Sequence, residues 1–206
     1  MVYQLSNPIV KSLITSLRDV NTDALRFKHI VMELSRFLVY EALKDIEMTP
    51  KVITTWKGED TFASIKEEDI VFVTVLRAGM PMIEGLNNLF VSSPSGFLAM
   101  KRDEVTHKSK LYFDRVPDCK GKRVILVDPM VATGGSLCDA IELLKTKDPH
   151  SITTLNIIAS PEGLSVVQKA YGDVDIYVAQ IDKSLNDDKF ILPGLGDAGD
   201  RSYNTL

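Results

Sequence analysis

The stretch RVILVDPMVATGGS, residues 123–136, decides the fold of this chain. Its first half is almost wholly apolar, as is typical of a strand that is buried on both faces of a parallel sheet. The turn that follows contains Gly134 and Gly135 and leads into a helical pattern from Ser136 to Lys147. A buried strand that passes through a glycine-bearing turn into a helix is the repeating unit of α/β proteins.

Two more units of this kind flank the first. IVFVTVL at 70–76 is followed by a helical pattern from Pro81 to Leu89, and ITTLNIIAS at 152–160 by one from Glu162 to Tyr171. A further strand, DVDIYVAQI, is predicted at 173–181. This alternation predicts an α/β fold with an open, mainly parallel, doubly wound sheet.

Residues 1–48 precede the sheet and carry two helical patterns without a strand between them. The first pattern runs from Pro8 to about Val20. The second begins after Thr22 or Asp23, either of which can cap a helix, and ends near Asp45. We expect this helical arm to pack on the core or on another subunit.

The remaining segments are predicted to form hairpins and a tail. KVITTWK at 51–57 pairs with TFASI at 61–65 across the turn Gly58-Glu59-Asp60. A strand lies on either side of an exposed polar loop at Asp103–Lys110. The tail, residues 186–206, is too rich in glycine and proline for regular structure, and we expect it to fold back over the domain.

Composition restricts the class of protein. The chain has 206 residues, 45% of them hydrophobic and 25% charged, which suits one globular domain over residues 1–206. The net charge of −4 offers no basic field for a nucleic acid, and no apolar run is long enough to span a membrane. Cys119 and Cys138 stand far apart and in no metal-binding pattern. We expect a cytoplasmic protein without nucleic-acid or membrane partners.

Ligands of open α/β sheets bind beyond the carboxyl ends of the strands, and the turn at 127–136 is the strongest candidate there. Its two glycines let backbone amides approach an anion, while Thr133 and Ser136 add hydroxyl groups. The following helix N-terminus favours a phosphate monoester, and Asp128 suits a ribose diol. The turn matches neither a Walker loop nor a dinucleotide fingerprint. The alternative is an ordinary strand-to-helix turn with a capping hydroxyl.

Basic residues follow two other strands. Arg77, in VLRAGMPM at 75–82, lies where a guanidinium and tightly bent backbone suit pyrophosphate. The alternative is a structural pair between Arg77 and a nearby carboxylate. The pair Lys101-Arg102 either reaches over the same anion or is solvated.

The segment from Ile191 to Arg201 suits recognition of a planar base. Its glycines permit close approach of peptide groups, which can read the donors and acceptors of such a base. Asp197 and Asp200 are then available to a ribose, a metal-bound water or a proton on the base. The alternative is a C-terminal arm that packs in a dimer.

Three motifs together resemble one family. LRAG at 76–79, DPMVATGGS at 128–136 and PGLGDAGDR at 193–201 closely resemble the uracil phosphoribosyltransferases, a branch of the type I phosphoribosyltransferases. The likeness extends over essentially the whole chain, including YEAL at 40–43. It implies transfer of the phosphoribosyl group from 5-phosphoribosyl 1-pyrophosphate to N1 of uracil, which gives UMP and pyrophosphate in pyrimidine salvage.

The resemblance also implies roles for individual positions. Arg77 and Arg102 would contact the pyrophosphate, Asp128 the ribose hydroxyls and Asp197 both donor and base; these four are the expected catalytic residues. The expected donor-binding residues are Arg77, Arg102, Asp128, Pro129, Met130, Val131, Ala132, Thr133, Gly134, Gly135, Ser136 and Asp197. The expected uracil-binding residues are Ile191, Gly196, Asp197 and Ala198.

Further implications of the resemblance concern the cofactor and the assembly. Mg²⁺ is expected as the cofactor, held mainly by the donor without a direct protein ligand, because Pro129 replaces a second acidic residue. A homodimer or homotetramer is implied, and GTP is an expected effector because it activates some relatives. The chain departs from the family in the basic loop 105–110 and in its ending, SYNTL at 202–206. That ending is expected to touch neither the donor site nor the base segment.

Three other functions stay open from the sequence. One is transfer to a different nucleobase, against which the PGLGDAGDR segment argues. Another is an RNA-binding regulator on the same fold, which would need a basic face that this acidic chain lacks. The last is a catalytically silent ligand sensor, in which a broken Asp128 or TGGS segment would be expected.

Overall fold

The computed structural model describes residues 1–102 and 109–205, and it describes the residues at 101–102 and 109–110 by their backbone only. The expected loop at Asp103–Lys110 and the sequence departure at 105–110 therefore fall largely outside the described residues. In the described part, no helix combines the length and the apolar character that crossing a membrane requires.

Helices and strands alternate along most of the chain. The helices are α1 Pro8–Arg18, α2 Ala24–Ala42, α3 Met80–Asn87, α4 Gly135–Lys145, α5 Pro161–Ala170 and α6 Ala198–Tyr203. The strands are β1 Val2–Gln4, β2 Thr49–Thr55, β3 Gly58–Ser64, β4 Ile70–Val75, β5 Ser95–Arg102, β6 Ser109–Arg115, β7 Arg123–Val127, β8 Met130–Val131, β9 Ser151–Ala159, β10 Asp175–Ile181, β11 Ser184–Leu185 and β12 Ile191–Leu192.

One eight-stranded sheet organises the molecule, in the order β1-β10-β9-β7-β4-β5-β6, with β8 beside β9. All neighbours are parallel except β5 and β6, which form an antiparallel hairpin at the edge. The predicted α/β fold with a mainly parallel, doubly wound sheet is confirmed. Because β4, β7 and β9 run in the same direction, the turns that follow them lie along one edge.

Helices cover both faces of the sheet because its central strands are apolar on both sides. Phe72 of β4 packs with residues of α1, α2 and α3, whereas its neighbour Val73 packs with residues of α4 and α5. Leu17 of α1 and Phe27 of α2 are fully buried. The two helices predicted as an arm are therefore part of the core of this protein.

The structure corrects three details of the predicted elements. The three residues of β1, which pair with β10, were missed because so short a strand shows no periodicity. β3 begins at Gly58, so the hairpin turns at Trp56 and Lys57 instead of Gly58-Glu59-Asp60. The tail contains regular structure after all: β12 pairs with β11, and Asp197 caps α6 by accepting a hydrogen bond from the Asp200 amide.

Candidate active site

The turn after β7 leads through a glycine pair into the start of α4. Gly134 is the N-cap residue with φ of 80°, and no side chain caps the helix there. A methyl group on Gly134 would lie 2.6 Å from the carbonyl oxygen of Gly163, so the turn packs too tightly for any side chain at this position. Thr133 and Ser136 are partly exposed on either side of the glycine pair. This arrangement suits a phosphate group, as the sequence predicts.

Polar side chains of β9 and of Ser160, the N-cap residue of α5, hold this turn in place. Asn156 Nδ2 donates to the carbonyl oxygen of Asp128 at 2.7 Å, and Ser160 Oγ donates to that of Ala132 at 2.6 Å. Both side chains belong to fully buried residues. The sequence analysis missed them, although a polar residue inside the apolar run ITTLNIIAS was the available signal.

Not every residue of the expected donor-binding set presents its side chain. Pro129 and Val131 are buried, whereas Asp128, Met130 and Ala132 are partly exposed. The carbonyl oxygen of Pro129 accepts hydrogen bonds from β9. The buried members of the set thus shape the turn through their backbone.

Asp128 carries a carboxyl group with an altered pKa. Burial raises this pKa to about 6 from an ordinary value near 3.8, and the Met130 amide, which donates to Oδ1 at 3.2 Å, lowers it by less. The carboxyl therefore changes its charge near neutral pH, at the position expected for the ribose hydroxyls.

The turn after β4 lies directly beside the turn after β7. Thr74 Oγ1 donates to the carbonyl oxygen of Val127 at 3.0 Å. A methyl group on Gly79 would lie 1.9 Å from Thr74 Oγ1 and 3.1 Å from the Val127 oxygen, so only glycine fits between the two turns. The peptide bond between Leu76 and Arg77 is cis. The contacts of Thr74 and Gly79 with Val127 place Arg77 beside the phosphate turn, as the sequence predicts.

Arg77 reaches the C-terminal segment instead of standing alone. Its Nη2 donates to Asp200 Oδ1 and, at 2.9 Å, to Thr205 Oγ1. The expectation that the ending SYNTL touches nothing of the donor site is therefore wrong for Arg77. The sequence could not show this contact, because the two segments lie far apart along the chain.

The base segment is fixed to α1 by a partly buried ion pair. Arg18 Nη1 donates to Asp182 Oδ2 at 2.9 Å and to the carbonyl oxygen of Gly194 at 2.6 Å. The Gly194 amide in turn donates to Asp182 Oδ2 at 2.9 Å. The Asp182 side chain is only 2% exposed. Arg18 and Asp182 were not identified in the sequence analysis, because the sequence does not show that α1 and the tail are in contact.

Arg201 ties the other end of the same segment to the helices. Its guanidinium donates to the carbonyl oxygen of Leu17, at 2.8 Å to that of Leu195 and at 2.6 Å to that of Asp19. The guanidinium carbon also lies 4.5 Å from the centre of the Phe27 ring. The base segment is thus anchored to the helices at both of its ends.

The expected uracil-binding residues lie within this segment. Ile191 and Ala198 are buried, whereas Gly196 and Asp197 are exposed. A methyl group on Gly199 would lie 3.5 Å from Arg77 Nε, so the segment adjoins the turn after β4. The three turns singled out in the sequence are therefore neighbours in the structure.

Arg102 is described by its backbone alone. It is the last residue of β5, which runs beyond the end of β4 because Val75 pairs with Leu98. The backbone at Arg102 is thus on the same side of the sheet as the three turns. Its expected contact with pyrophosphate stays a prediction.

Known proteins are similar to this chain along its whole length. The family described as uracil phosphoribosyltransferase matches residues 4–205. A uracil phosphoribosyltransferase of Aquifex aeolicus is 41% identical over 203 residues, 98% of each chain. One of Malacoplasma penetrans is 37% identical over 206 residues, 100% of each chain.

Solved structures are similar to this chain as well. The structure of the AQ2163 protein from Aquifex aeolicus matches with a TM-score of 0.95 and 41% identity, over 98% of each chain. A hypoxanthine-guanine phosphoribosyltransferase from Bacillus anthracis shares the fold alone, with a TM-score of 0.50 and 16% identity over 78% of this chain and 79% of its own. With its full-length match to that family and these relatives, the chain belongs to the uracil phosphoribosyltransferase family.

Proposed function

We propose that this chain transfers the 5-phosphoribosyl group from 5-phosphoribosyl 1-pyrophosphate to N1 of uracil, forming UMP and pyrophosphate. The observation that carries the proposal is the meeting of three turns at one edge of the sheet. A methyl group on Gly79 would approach Val127, and one on Gly199 would approach Arg77. A phosphate turn, an arginine and a glycine-rich base segment are thus within reach of one small molecule.

Each turn takes one part of the substrates in this proposal. The amides from Thr133 to Ser136 bind the 5-phosphate, and the Asp128 carboxylate accepts hydrogen bonds from the ribose hydroxyls. Arg77 and Arg102 bind the pyrophosphate. Peptide groups of Gly196–Ala198 read uracil.

The reaction is a displacement at C1 of the ribose with inversion. N1 of uracil forms a bond to C1 as the bond from C1 to the pyrophosphate oxygen breaks, and the proton of N1 passes to water or to the departing pyrophosphate. The ribose passes through a state that resembles an oxocarbenium ion, as in glycoside transfer. The protein positions the two reactants and stabilises the negative charge of the departing pyrophosphate. Loss of one such charge contact lowers the rate on the order of 10²–10³-fold.

Asp197 orients the base in this scheme. It is exposed, and its Oδ1 accepts the Asp200 amide at 2.8 Å as the cap of α6.

Mg²⁺ fits this site as an ion carried by the donor. The turn at 127–136 offers one carboxylate, that of Asp128, and no group of three or more His, Cys, Asp or Glu side chains in the described residues could hold a metal. Mg²⁺ commonly binds through one or two carboxylates together with substrate phosphates. When bound, it supplies positive charge to the pyrophosphate.

A homodimer or larger homo-oligomer is part of the proposal. The hairpin of β2 and β3 exposes large apolar side chains: Val52, Ile53, Trp56 and Phe62. Trp56, at the turn, is 90% exposed. An apolar surface of this kind on one projecting element is typical of a protein interface.

Location and regulation complete the proposal. A cytoplasmic location is supported by the phosphorylated substrate and by two free cysteines, Cys119 and Cys138, whose pKa values burial raises, so that both remain thiols. GTP is proposed as an effector on the resemblance to activated relatives alone. Its addition to the assay below is expected to raise the rate.

The test is pyrophosphate release from the donor with Mg²⁺, compared for uracil, cytosine, thymine, hypoxanthine and no base, with the product identified by mass. Release with uracil alone, together with UMP, is the expected result. Release with another base would replace uracil as the acceptor. Absence of release with every base, despite donor binding, would favour a sensor or a regulator.

A further inference from the structure

The guanidinium of Arg77 is held by one of its nitrogens. Nη2 donates to both Asp200 and Thr205, while Nε and Nη1 have no hydrogen-bond partner among the described residues. The guanidinium carbon also lies 5.9 Å from the centre of the Tyr203 ring. The C-terminal segment thus binds Nη2 of the guanidinium and leaves the N–H groups of Nε and Nη1 for a ligand.

The Thr205 hydroxyl completes a closed triangle of hydrogen bonds. It donates to Asp200 Oδ1 at 2.6 Å and accepts from Arg77 Nη2 at 2.9 Å. A hydroxyl can do both at once, since it has one proton and two lone pairs. Thr205 therefore fixes the direction of the Asp200 carboxylate as well as that of the guanidinium.

A flexible arginine needs such support at a ligand site. The Arg77 side chain is 49% exposed and stands on a turn, so little packing restrains it. Ordering a long side chain on binding costs conformational entropy, and a side chain that is ordered beforehand avoids this loss. The surrounding contacts come from the segment next to the base site, which favours positioning over a role in folding.

We propose that Asp200 and Thr205 are positioning residues that hold the Arg77 guanidinium ready for the donor's pyrophosphate. This inference rests on the proposed function, in which Arg77 binds that group. Thr205 belongs to the ending SYNTL at 202–206.

The first test is the Thr205→Val variant, which removes the bridging hydroxyl and keeps the shape. The KM for the donor is expected to rise roughly three- to tenfold, because the variant loses the hydrogen bonds that the hydroxyl makes with Asp200 and Arg77. The KM for uracil should change less than twofold. Thr205→Ser should restore the donor KM. Thr15→Val is the matched control, because Thr15 is also an exposed threonine whose hydroxyl donates to one carbonyl group, that of Lys11.

A double-mutant cycle separates positioning from general stabilisation. In an Arg77→Met background, Thr205→Val is expected to leave the donor KM unchanged, because its effect passes through Arg77. Asp200→Ala should raise the donor KM at least as much as Thr205→Val. A fall in that KM would overturn the proposal, since it would mean that Asp200 competes with pyrophosphate for Arg77.

Direct binding keeps the inference separate from the proposed reaction. Titration of the wild-type chain and of Thr205→Val with pyrophosphate and Mg²⁺ should show weaker binding by the same factor. If the wild-type chain makes no UMP, the proposed function fails, yet this titration still decides the inference. Equal binding by the two chains, or equal changes in both KM values, would refute it.

Discussion

Just after β7, Asp128 is partly exposed as a residue, yet its carboxyl is desolvated enough to raise the pKa to about 6. Between the ordinary pKa near 3.8 and about 6, the folded chain keeps the proton of this carboxyl, whereas the unfolded chain has already released it. A low pH therefore favours the folded state. The contribution is present below the ordinary pKa near 3.8 and is lost as the pH rises through about 6. Above about pH 6 the carboxylate that would bind the ribose hydroxyls therefore lowers the stability of the fold.

An Asp128→Asn variant tests this at the residue scale. Its free energy of unfolding in urea, relative to wild type, should increase between pH 4 and pH 7 on the order of 2 kcal/mol, because the amide does not titrate. The amide oxygen can still accept from Met130, so the turn keeps its shape. Parallel pH profiles for the two chains would contradict a raised pKa at Asp128.

Gly134 gives a second prediction at this scale. Gly134→Ala places a methyl group 2.6 Å from the Gly163 oxygen and should destabilise the fold by more than about 3 kcal/mol, with a higher KM for the donor. Gly121→Ala is the control, because Gly121 also has a positive φ, of 68°, but no atom lies within 4 Å of the added methyl. That variant should lose only roughly 1–2 kcal/mol. Equal losses in thermal unfolding would mean that backbone strain alone explains the glycine.

At the scale of elements, the base segment depends on the pair between Arg18 of α1 and Asp182. Asp182→Asn breaks a partly buried ion pair and should destabilise the fold by roughly 3 kcal/mol, the lower end of the range for buried pairs. Since Asp182 also accepts the Gly194 amide, the KM for uracil should rise more than that for the donor. Asp173→Asn, which breaks an exposed pair with Lys145, should lose less than about 1 kcal/mol. A larger rise in the donor KM would count against this role.

The elements also show which parts of the structure are predictable from sequence. Strands β4, β7, β9 and β10 were found because each is an apolar run bounded by turn residues. Helix α6 was missed because glycine density hid the cap at Asp197. Local patterns cannot show that Arg18 meets Asp182, or Arg77 meets Thr205, since these contacts depend on packing between distant segments.

At the scale of the whole molecule, the hairpin of β2 and β3 predicts self-association. Trp56→Glu places a charge at its most exposed apolar position and should shift the protein toward the monomer in sedimentation velocity. Val20→Glu is the control, because Val20 is 88% exposed but lies outside the hairpin. A monomeric wild-type chain, or equal effects of the two variants, would contradict an interface at this hairpin.

The account as a whole claims that three separate turns form one nucleotide site. A crystal structure of the chain with UMP tests this most directly. The phosphate is expected on the amides of Thr133–Ser136, the ribose hydroxyls at Asp128 and the uracil ring against the peptide groups of Gly196–Ala198. A nucleotide bound with its base away from the Gly196–Ala198 segment, or with its phosphate away from the turn, would contradict the account.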